Sequence, residues 1–353
     1  MESDKLGISL NDMPSGERIM IKGRTTVYNN ITSVDKISKI EPKNIELMNG
    51  FLDYLTSINR SPNTIDGYKS DILIFYVWNE EYNDNKYFVD LTKRDIAKFQ
   101  KHTLSEWGWS SNRLARVKSS LNSMSLYIEN ILDDEIENFR PIIRKIETPV
   151  REPIREKTIL TDDEVDSVLN KLVRDKKYQI ACVFALAAFG GARKSELLRY
   201  KYAYFTDENI MQDAFLYKTP EKIQTKGRGV RGKELTKYTL VDFKKYYDLW
   251  MNEREKANLL DNEYLFINPK GKTLSVDGLT VYSRTISKYL GRPFYLHSLR
   301  HQLCTRLFKL GLPSNIIQEY FGWSSAEMLT LYNDTNASDD FGKFFTPDGI
   351  KGL

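Results

Sequence analysis

The stretch YQIACVFALAAFGGARKSELLRY, Tyr178 to Tyr200, decides what kind of domain the C-terminal half of this chain can be. Up to Phe189 it is apolar nearly all round, the pattern of a helix buried on every side. Ile180 to Ala192 is the longest apolar run in the chain and is too short to span a bilayer, so its cover must be protein. Gly190 and Gly191 then break the helix, and Arg193 follows with Glu196 three residues on. Arginine is costly to bury unless it meets an anion. Taken alone, the pair reads as a structural Arg–Glu contact; a chemical meaning needs residues from further along.

Working outward, TDDEVDSVLNKL carries Thr161 and Glu164 in capping-box register, which opens this domain. Before it lies RPIIRKIETPVREPIREKTIL, charged and interrupted by Pro141, Pro149 and Pro153, and read as a linker over 141–158. Residues 45–140 are helical. NIELMNGFLDYL spaces Ile45, Met48, Leu52 and Leu55 by threes and fours, and SPNTIDGYKSDILIFYVW starts on a Ser61 cap followed by Pro62. Thr92 and Asp95 approximate a second capping box. The most regular stretch lines up Leu114, Val117, Leu121, Met124, Ile128 and Ile131 on one face, with Arg113 and Arg116 on another. This is a bundle of four or five helices. Residues 1–44 show little periodicity and read as a loosely structured extension, with a short strand or two in ERIMIKGRTTVY. Downstream of the buried helix, AFLYKTPEKIQTKGRGVRGKELTKYTLV reads as strands joined by a Gly-rich basic turn, NEYLFINPKGKTLS adds a short strand, and the chain from Val276 is helical. The fold class is therefore mostly α with a small β-sheet.

A chain of 353 residues is too long for one core of usual size, so two domains are expected, and 41% hydrophobic residues suffice to fill them. The net charge of +4 is weakly basic and admits a nucleic-acid partner without requiring one. Cys182 and Cys304 each lie in an apolar helical stretch, as two reduced, packed thiols would. MESDK is acidic and polar with no apolar run behind it, so no secretion signal is read and a cytoplasmic location is expected.

Four further features stand out. YLHSLRHQL puts His297 and Arg300 three apart on one helix face, and two of the chain's three histidines, His297 and His301, flank that arginine. IQTKGRGVRGKELTKY sets Lys226, Arg228, Arg231, Lys233 and Lys237 against the single acid Glu234, either as a solvated hairpin tip or as a probe for phosphates. FGW ends a helical segment at Gly322 and Trp323. Ser324 and Glu327 then cap a helix carrying Tyr332, nine residues after Trp323.

Two arginines, a histidine, a lysine and a late tyrosine suit phosphoryl transfer to tyrosine. In this respect the chain resembles the tyrosine recombinase (phage integrase) family over about residues 45 to 335. Arg193 looks like the family's first arginine and Glu196 like its accompanying acid. Lys226 in TKG looks like the hairpin lysine, with Lys222 and Lys233 as near alternatives. His297 and Arg300 match the H-x-x-R box, Trp323 stands where the family has its second His or Trp, and Tyr332 matches the nucleophile.

The resemblance implies a two-domain, C-shaped DNA clamp. A SAM-like core-binding domain would span 45–140 and a catalytic domain 159–336. A tail over 337–353, rich in phenylalanine, would pass between protomers. The residues implied to meet DNA are Asn63, Thr64, Lys69, Asn112, Arg113, Arg116, Arg228 and Arg231. The implied reaction is site-specific strand cleavage and rejoining through a 3′-phosphotyrosine, for integration, excision or resolution of a mobile element or phage. The implied partner is double-stranded DNA with an inverted-repeat core site, bound by a homotetramer on two duplexes. Without DNA the chain would be a monomer or weakly self-associating, and no membrane is involved. No metal or cofactor is expected, because the arginines supply the positive charge. A type IB topoisomerase-like relaxation activity and a catalytically inactive DNA-binding regulator are the alternatives.

Overall fold

The computed structural model describes residues 17–21, 24–28, 31–150, 159–225, 233–323, 329, 345–346 and 349–350. The chain divides between Glu156 and Lys157 into two units, each with its own hydrophobic core.

The first unit opens with an antiparallel hairpin of β1 (Glu17–Ile21) and β2 (Arg24–Tyr28), the short strands anticipated for that stretch. A one-turn helix α1 (Val34–Ser38) comes next, flanked by the buried Ile31 and Ile40. The packed unit therefore begins before residue 45, because these two side chains enter its core.

Four longer helices complete it: α2 (Pro42–Ser57), α3 (Pro62–Tyr82), α4 (Lys93–Ser105) and α5 (Ser111–Ile131). Their starts are written locally. Ser61 accepts from Thr64 N with Pro62 in the first turn, and Thr92 and Asp95 bond reciprocally. The apolar stripe of α5 is fully buried from Leu114 to Ile128, while Ile131, at the helix end, is exposed. Trp78, Phe75, Phe99, Trp107 and Trp109 meet edge-on or tilted at its centre.

Packing continues past residue 140. A single turn at Ile143–Lys145 buries Ile143 completely, and Lys118 of α5 fastens the two residues after that turn. The Lys118 ammonium is buried and donates to Gln100 Oε1 at 2.9 Å, Ile146 O at 2.8 Å and Glu147 O at 3.3 Å. Burial pushes its pKa down. The first third of the predicted linker is thus part of the bundle.

The second unit is built around α7 (Tyr178–Gly190), whose side chains are buried over nearly its whole circumference. Helices α6 (Asp162–Arg174), α9 (Lys244–Lys256) and α11 (Leu296–Lys309) pack against it. The Thr161–Glu164 capping box starts α6 as its sequence implied. A very short helix, α8 (Lys194–Leu197), leaves the end of α7, and α10 (Val276–Leu290) and α12 (Ser314–Phe321) complete the helical set among the described residues.

Between α8 and α9 the β-structure is two small antiparallel pieces. One is three-stranded, in the order β3 (Ile210–Met211), β4 (Leu216–Lys218), β7 (Tyr238–Leu240). The other is a hairpin of β5 (Ile223–Thr225) and β6 (Lys233–Leu235), registered Thr225 opposite Lys233. The strand expected in NEYLFINPKGKTLS is reduced to isolated bridges, Lys201 with Tyr264 and Ile267 with Thr273. There Arg254, wholly buried, donates to the carbonyls of Leu259, Asn262, Tyr264 and Leu265, so side-chain N–H groups stand in for a neighbouring strand. Cys182 and Cys304 are both buried, and neither is in a disulfide. In the tail, β8 (Phe345–Thr346) pairs with β9 (Gly349–Ile350). Among the described residues, no helix is long and apolar enough to cross a membrane.

Candidate active site and nucleic-acid interface

The Gly-Gly break after α7 is where the site begins. Gly191 caps the helix with φ +59°, and a Cβ there would lie 2.4 Å from Phe321 Cε1. Only glycine meets both the left-handed backbone and the close approach of α12. The chain then turns so that Arg193 heads α8. Its main-chain N–H donates to Glu196 Oε2 at 3.0 Å and its Nη1 to Glu196 Oε1 at 2.8 Å. Glu196 is 0% exposed, whereas the Arg193 side chain is 27% exposed. The arginine is held both at its main chain and through Nη1, and part of its side chain stays exposed.

Arg300, on α11, is oriented differently. It is 1% exposed, and its Nη1 and Nη2 donate to Gly191 O at 2.6 Å and Phe321 O at 3.0 Å. Its guanidinium lies over the Phe321 ring at 4.7 Å and the Trp323 ring at 5.2 Å. One arginine therefore joins the turn after α7, its own helix and the end of α12. Trp323 is buried and stacks on Phe321 with ring centroids 4.8 Å apart, and Gln318 holds its main chain on both sides. The indole ring is packed beneath the Arg300 guanidinium.

Between α12 and Trp323, Gly322 adopts φ +66°, and a Cβ on it would lie 2.4 Å from Leu235 Cδ1 of β6. Leu329, in helical conformation, is buried in the same cluster as Phe321 and Trp323.

His297 stands one turn before Arg300, with its ring edge-on to His301 at 5.2 Å. Partial burial, then the charges of Arg300 and Arg193, push its pKa below the usual histidine value, against the pull of Glu196. The imidazole is thus neutral near pH 7 and able to accept a proton. The structure brings Arg193, Glu196, His297, Arg300 and Trp323 into one electrostatic neighbourhood from three separate parts of the chain.

Lys226, Arg228, Arg231 and Tyr332 lie outside the described residues, as do Ser324 and Glu327. The hairpin that carries the basic turn is described up to Thr225 and from Lys233. Lys222 is exposed and precedes β5, at the end of the hairpin away from the turn.

Lys237 does not belong to the solvated tip with which its charge grouped it. It is 3% exposed, and its Nζ lies 2.9 Å from Glu196 Oε2. The signal was present in the strand alternation. Leu235, Lys237 and Thr239 share one phase, and Thr239 is buried. Burial would raise the Glu196 carboxyl, but Lys237 and the Arg193 backbone N–H outweigh it and bring the pKa to about 2.

In the first unit, Asn63, Thr64, Asn112 and Arg116 line one groove of about 430 Å³ between α3 and α5. At its base Asp71, 5% exposed, accepts from Arg116 Nε at 3.1 Å and Ser120 Oγ at 2.9 Å. The rest of the Arg116 side chain is largely exposed. Gly67 faces Arg116 Nη2, where a Cβ would come to 3.5 Å. Arg113 lies over the Trp109 ring at 4.5 Å, and Lys69 is exposed on α3; neither lines the groove. An arginine anchored through Nε, with amides and hydroxyls around it, is suited to a phosphodiester backbone.

Comparisons with known proteins agree in both halves. The Phage integrase family matches residues 158–339, and the Phage integrase N-terminal SAM-like domain matches residues 47–138. The SPbeta prophage-derived recombinase-like protein YomM of Bacillus subtilis (strain 168) is 25% identical over 301 residues, covering 83% of this chain and 87% of that one. Tyrosine recombinase XerC of Caldanaerobacter subterraneus subsp. tengcongensis is 22% identical, covering 83% and 84%. Among solved structures, XerH site-specific recombinase bound to palindromic difH substrate in a post-cleavage complex aligns with TM-score 0.61 and 20% identity over 87% of this chain and 89% of that one. A lambda integrase (75–356) dimer bound to a COC′ core site aligns with TM-score 0.60 and 16% identity, covering 82% and 95%.

Proposed function

Because the chain belongs to the phage integrase family and is a site-specific tyrosine recombinase that breaks and rejoins DNA, we propose that Tyr332 is its nucleophile and that Arg193, Glu196, His297, Arg300, Trp323 and Lys226 serve the same step. The phenolate oxygen of Tyr332 attacks the scissile phosphorus in line. A P–O bond to tyrosine forms, the bond to the 5′ oxygen breaks, and a 3′-phosphotyrosine and a free 5′ hydroxyl result. Arg193 donates to a nonbridging oxygen, and Arg300 sets a fixed positive charge behind it; both stabilise charge building at phosphorus. His297, neutral near pH 7, accepts a proton or a phosphate contact. Lys226 gives its proton to the departing 5′ oxygen. Trp323 holds the Arg300 guanidinium in plane, and Glu196 orients Arg193. Rejoining reverses these steps with a different 5′ hydroxyl, so no external energy source is consumed.

The observation that carries this reading is the Arg300 guanidinium bonded to both Gly191 O and Phe321 O, because it gathers widely separated motif residues at one point. On the DNA side, the groove holding Asn63, Thr64, Asn112 and Arg116 meets phosphates, with Lys69 and Arg113 beside it and Arg228 and Arg231 contributed by the hairpin turn. The substrate is duplex DNA with an inverted-repeat core site, in the cytoplasm. Four protomers act on two duplexes, exchanging the 337–353 tail, and the protein alone is monomeric or weakly associated. The recombination serves integration, excision or resolution of a mobile element. The test is a nicked trapping substrate. Wild type should accumulate a covalent adduct and Tyr332→Phe none, with DNA binding retained; an adduct formed by Tyr332→Phe refutes the assignment.

A further inference from the structure

Lys237 has no part in the cleavage scheme, yet it is buried against the carboxylate that orients Arg193. Its position is built in. Gly190 leaves room for β7, since a Cβ there would come 2.9 Å from Thr239 Oγ1. Thr219 grips Lys237 on both sides, donating its N–H to Lys237 O at 3.0 Å and accepting Lys237 N–H on Oγ1 at 3.1 Å. The side chain then points inward to Glu196 Oε2 at 2.9 Å, the same oxygen that takes the Arg193 main-chain N–H.

A carboxylate 2.8 Å from a lone arginine would cancel the charge that the phosphate has to meet. With Lys237 on the far side, the group of three is net positive. We propose that Lys237 is a positioning residue for strand cleavage: its ammonium keeps Glu196 ionised and fixed in the orientation that aims Arg193, and offsets the carboxylate's charge. The proposal rests on Arg193 being a phosphate ligand.

The groups around Glu196 are Arg193 on its own turn, Lys237 before β7, Tyr200 just beyond α8, and His297 and Arg300 on α11. Without Lys237, only Arg193 is left to oppose the burial that raises the Glu196 carboxyl, which then takes up its proton at higher pH. A protonated Glu196 needs no counter-charge. Cleavage by Lys237→Met, taken relative to wild type, should therefore recover as pH falls from about 8 to about 6, and the Glu196→Gln/Lys237→Met double variant should show no such trend.

The experiment measures single-turnover adduct formation on a nicked half-site duplex for wild type, Lys237→Met, Glu196→Gln, the double variant and Arg193→Ala. Lys237→Met should be slower by about 10- to 100-fold with half-site affinity within about threefold, and the double variant about tenfold faster than Lys237→Met. A 5′-bridging phosphorothiolate, whose sulfur leaves without a proton, should not rescue Lys237→Met. A wild-type rate for Lys237→Met, rescue by the sulfur substrate, or a double variant no faster than the single overturns the proposal. If Lys237→Met does not fold, the double variant against Glu196→Gln decides: an equal rate, as expected of a lysine that acts only through Glu196, supports the idea, and a slower double variant refutes it. A normal rate for Arg193→Ala refutes the phosphate-ligand reading itself, whereas an inert Arg193→Ala beside a normal Lys237→Met removes only the role of Lys237.

Discussion

At the scale of single residues, the site separates charge that faces outward from charge that holds the protein together. Arg193 is half-buried and Arg300 wholly so, although the motif gives them equal rank. The proton chemistry is proposed for other groups. Lys226 follows Thr225, the last residue of β5, in the sequence, and as the proposed leaving-group acid it has a distinctive test. Lys226→Ala should cut the cleavage rate by about 10²- to 10⁴-fold on ordinary DNA and regain most of it on a 5′-phosphorothiolate substrate. Rescue of Lys233→Ala instead would move the role to Lys233. His297 makes a pH prediction. Its pKa is depressed, so the neutral, accepting form prevails above the ordinary value of 6.5 and is lost as pH falls through the lowered one. The rate of adduct formation should accordingly hold down to about pH 6.5 and then decline, and His297→Gln should remove that acidic limb along with part of the rate. An unchanged limb in His297→Gln would assign it to another group.

At the scale of elements, the positive-φ glycines Gly191 and Gly322 do more than end helices. Gly322 turns the chain after α12 and also lies flat against Leu235 of β6. Gly322→Ala should cost ~2–4 kcal/mol, combining left-handed strain with overpacking. Adding Leu235→Ala should relieve the overpacking share and leave the strain, as read from denaturation midpoints. Additive losses would show that the contact is slack. Such contacts are also where sequence reading reaches its limit. Capping boxes at Thr92 and Thr161, the Ser61 cap and the α5 stripe are local patterns of one or two turns, and each formed as spaced. The motif residues were legible because their types and order are unusual. Lys237 was not, because a lysine near a basic turn is ordinary until strand phase is weighed against charge, and its partner Glu196 is distant in sequence. The packing of residues 141–147 was hidden for a similar reason. Pro141 and several charges signal an open linker, but Lys118 satisfies the carbonyls of Ile146 and Glu147.

At the scale of the whole molecule, two separate cores imply two separable folding units. A fragment of residues 31–150 keeps its aromatic centre, its capped helices and the Lys118 clasp, so it should unfold cooperatively on its own in urea. A broad, non-cooperative melt would mean that it depends on the rest of the chain. Its binding to duplex DNA should weaken steeply with added salt, as phosphate contacts require. The catalytic unit has no such modularity at its centre. Arg300 bonds to carbonyls from two other segments, and the proposed chemistry asks the same residue to serve the phosphate. That sets a rule for anyone who wants a silent, DNA-marking version of this enzyme. Alanine at Arg300 removes an internal strut along with the charge proposed to serve the phosphate, and the product would be a damaged protein rather than a quiet one. The switch belongs at the hydroxyl of Tyr332, the proposed nucleophile, leaving the arginine to keep the frame standing.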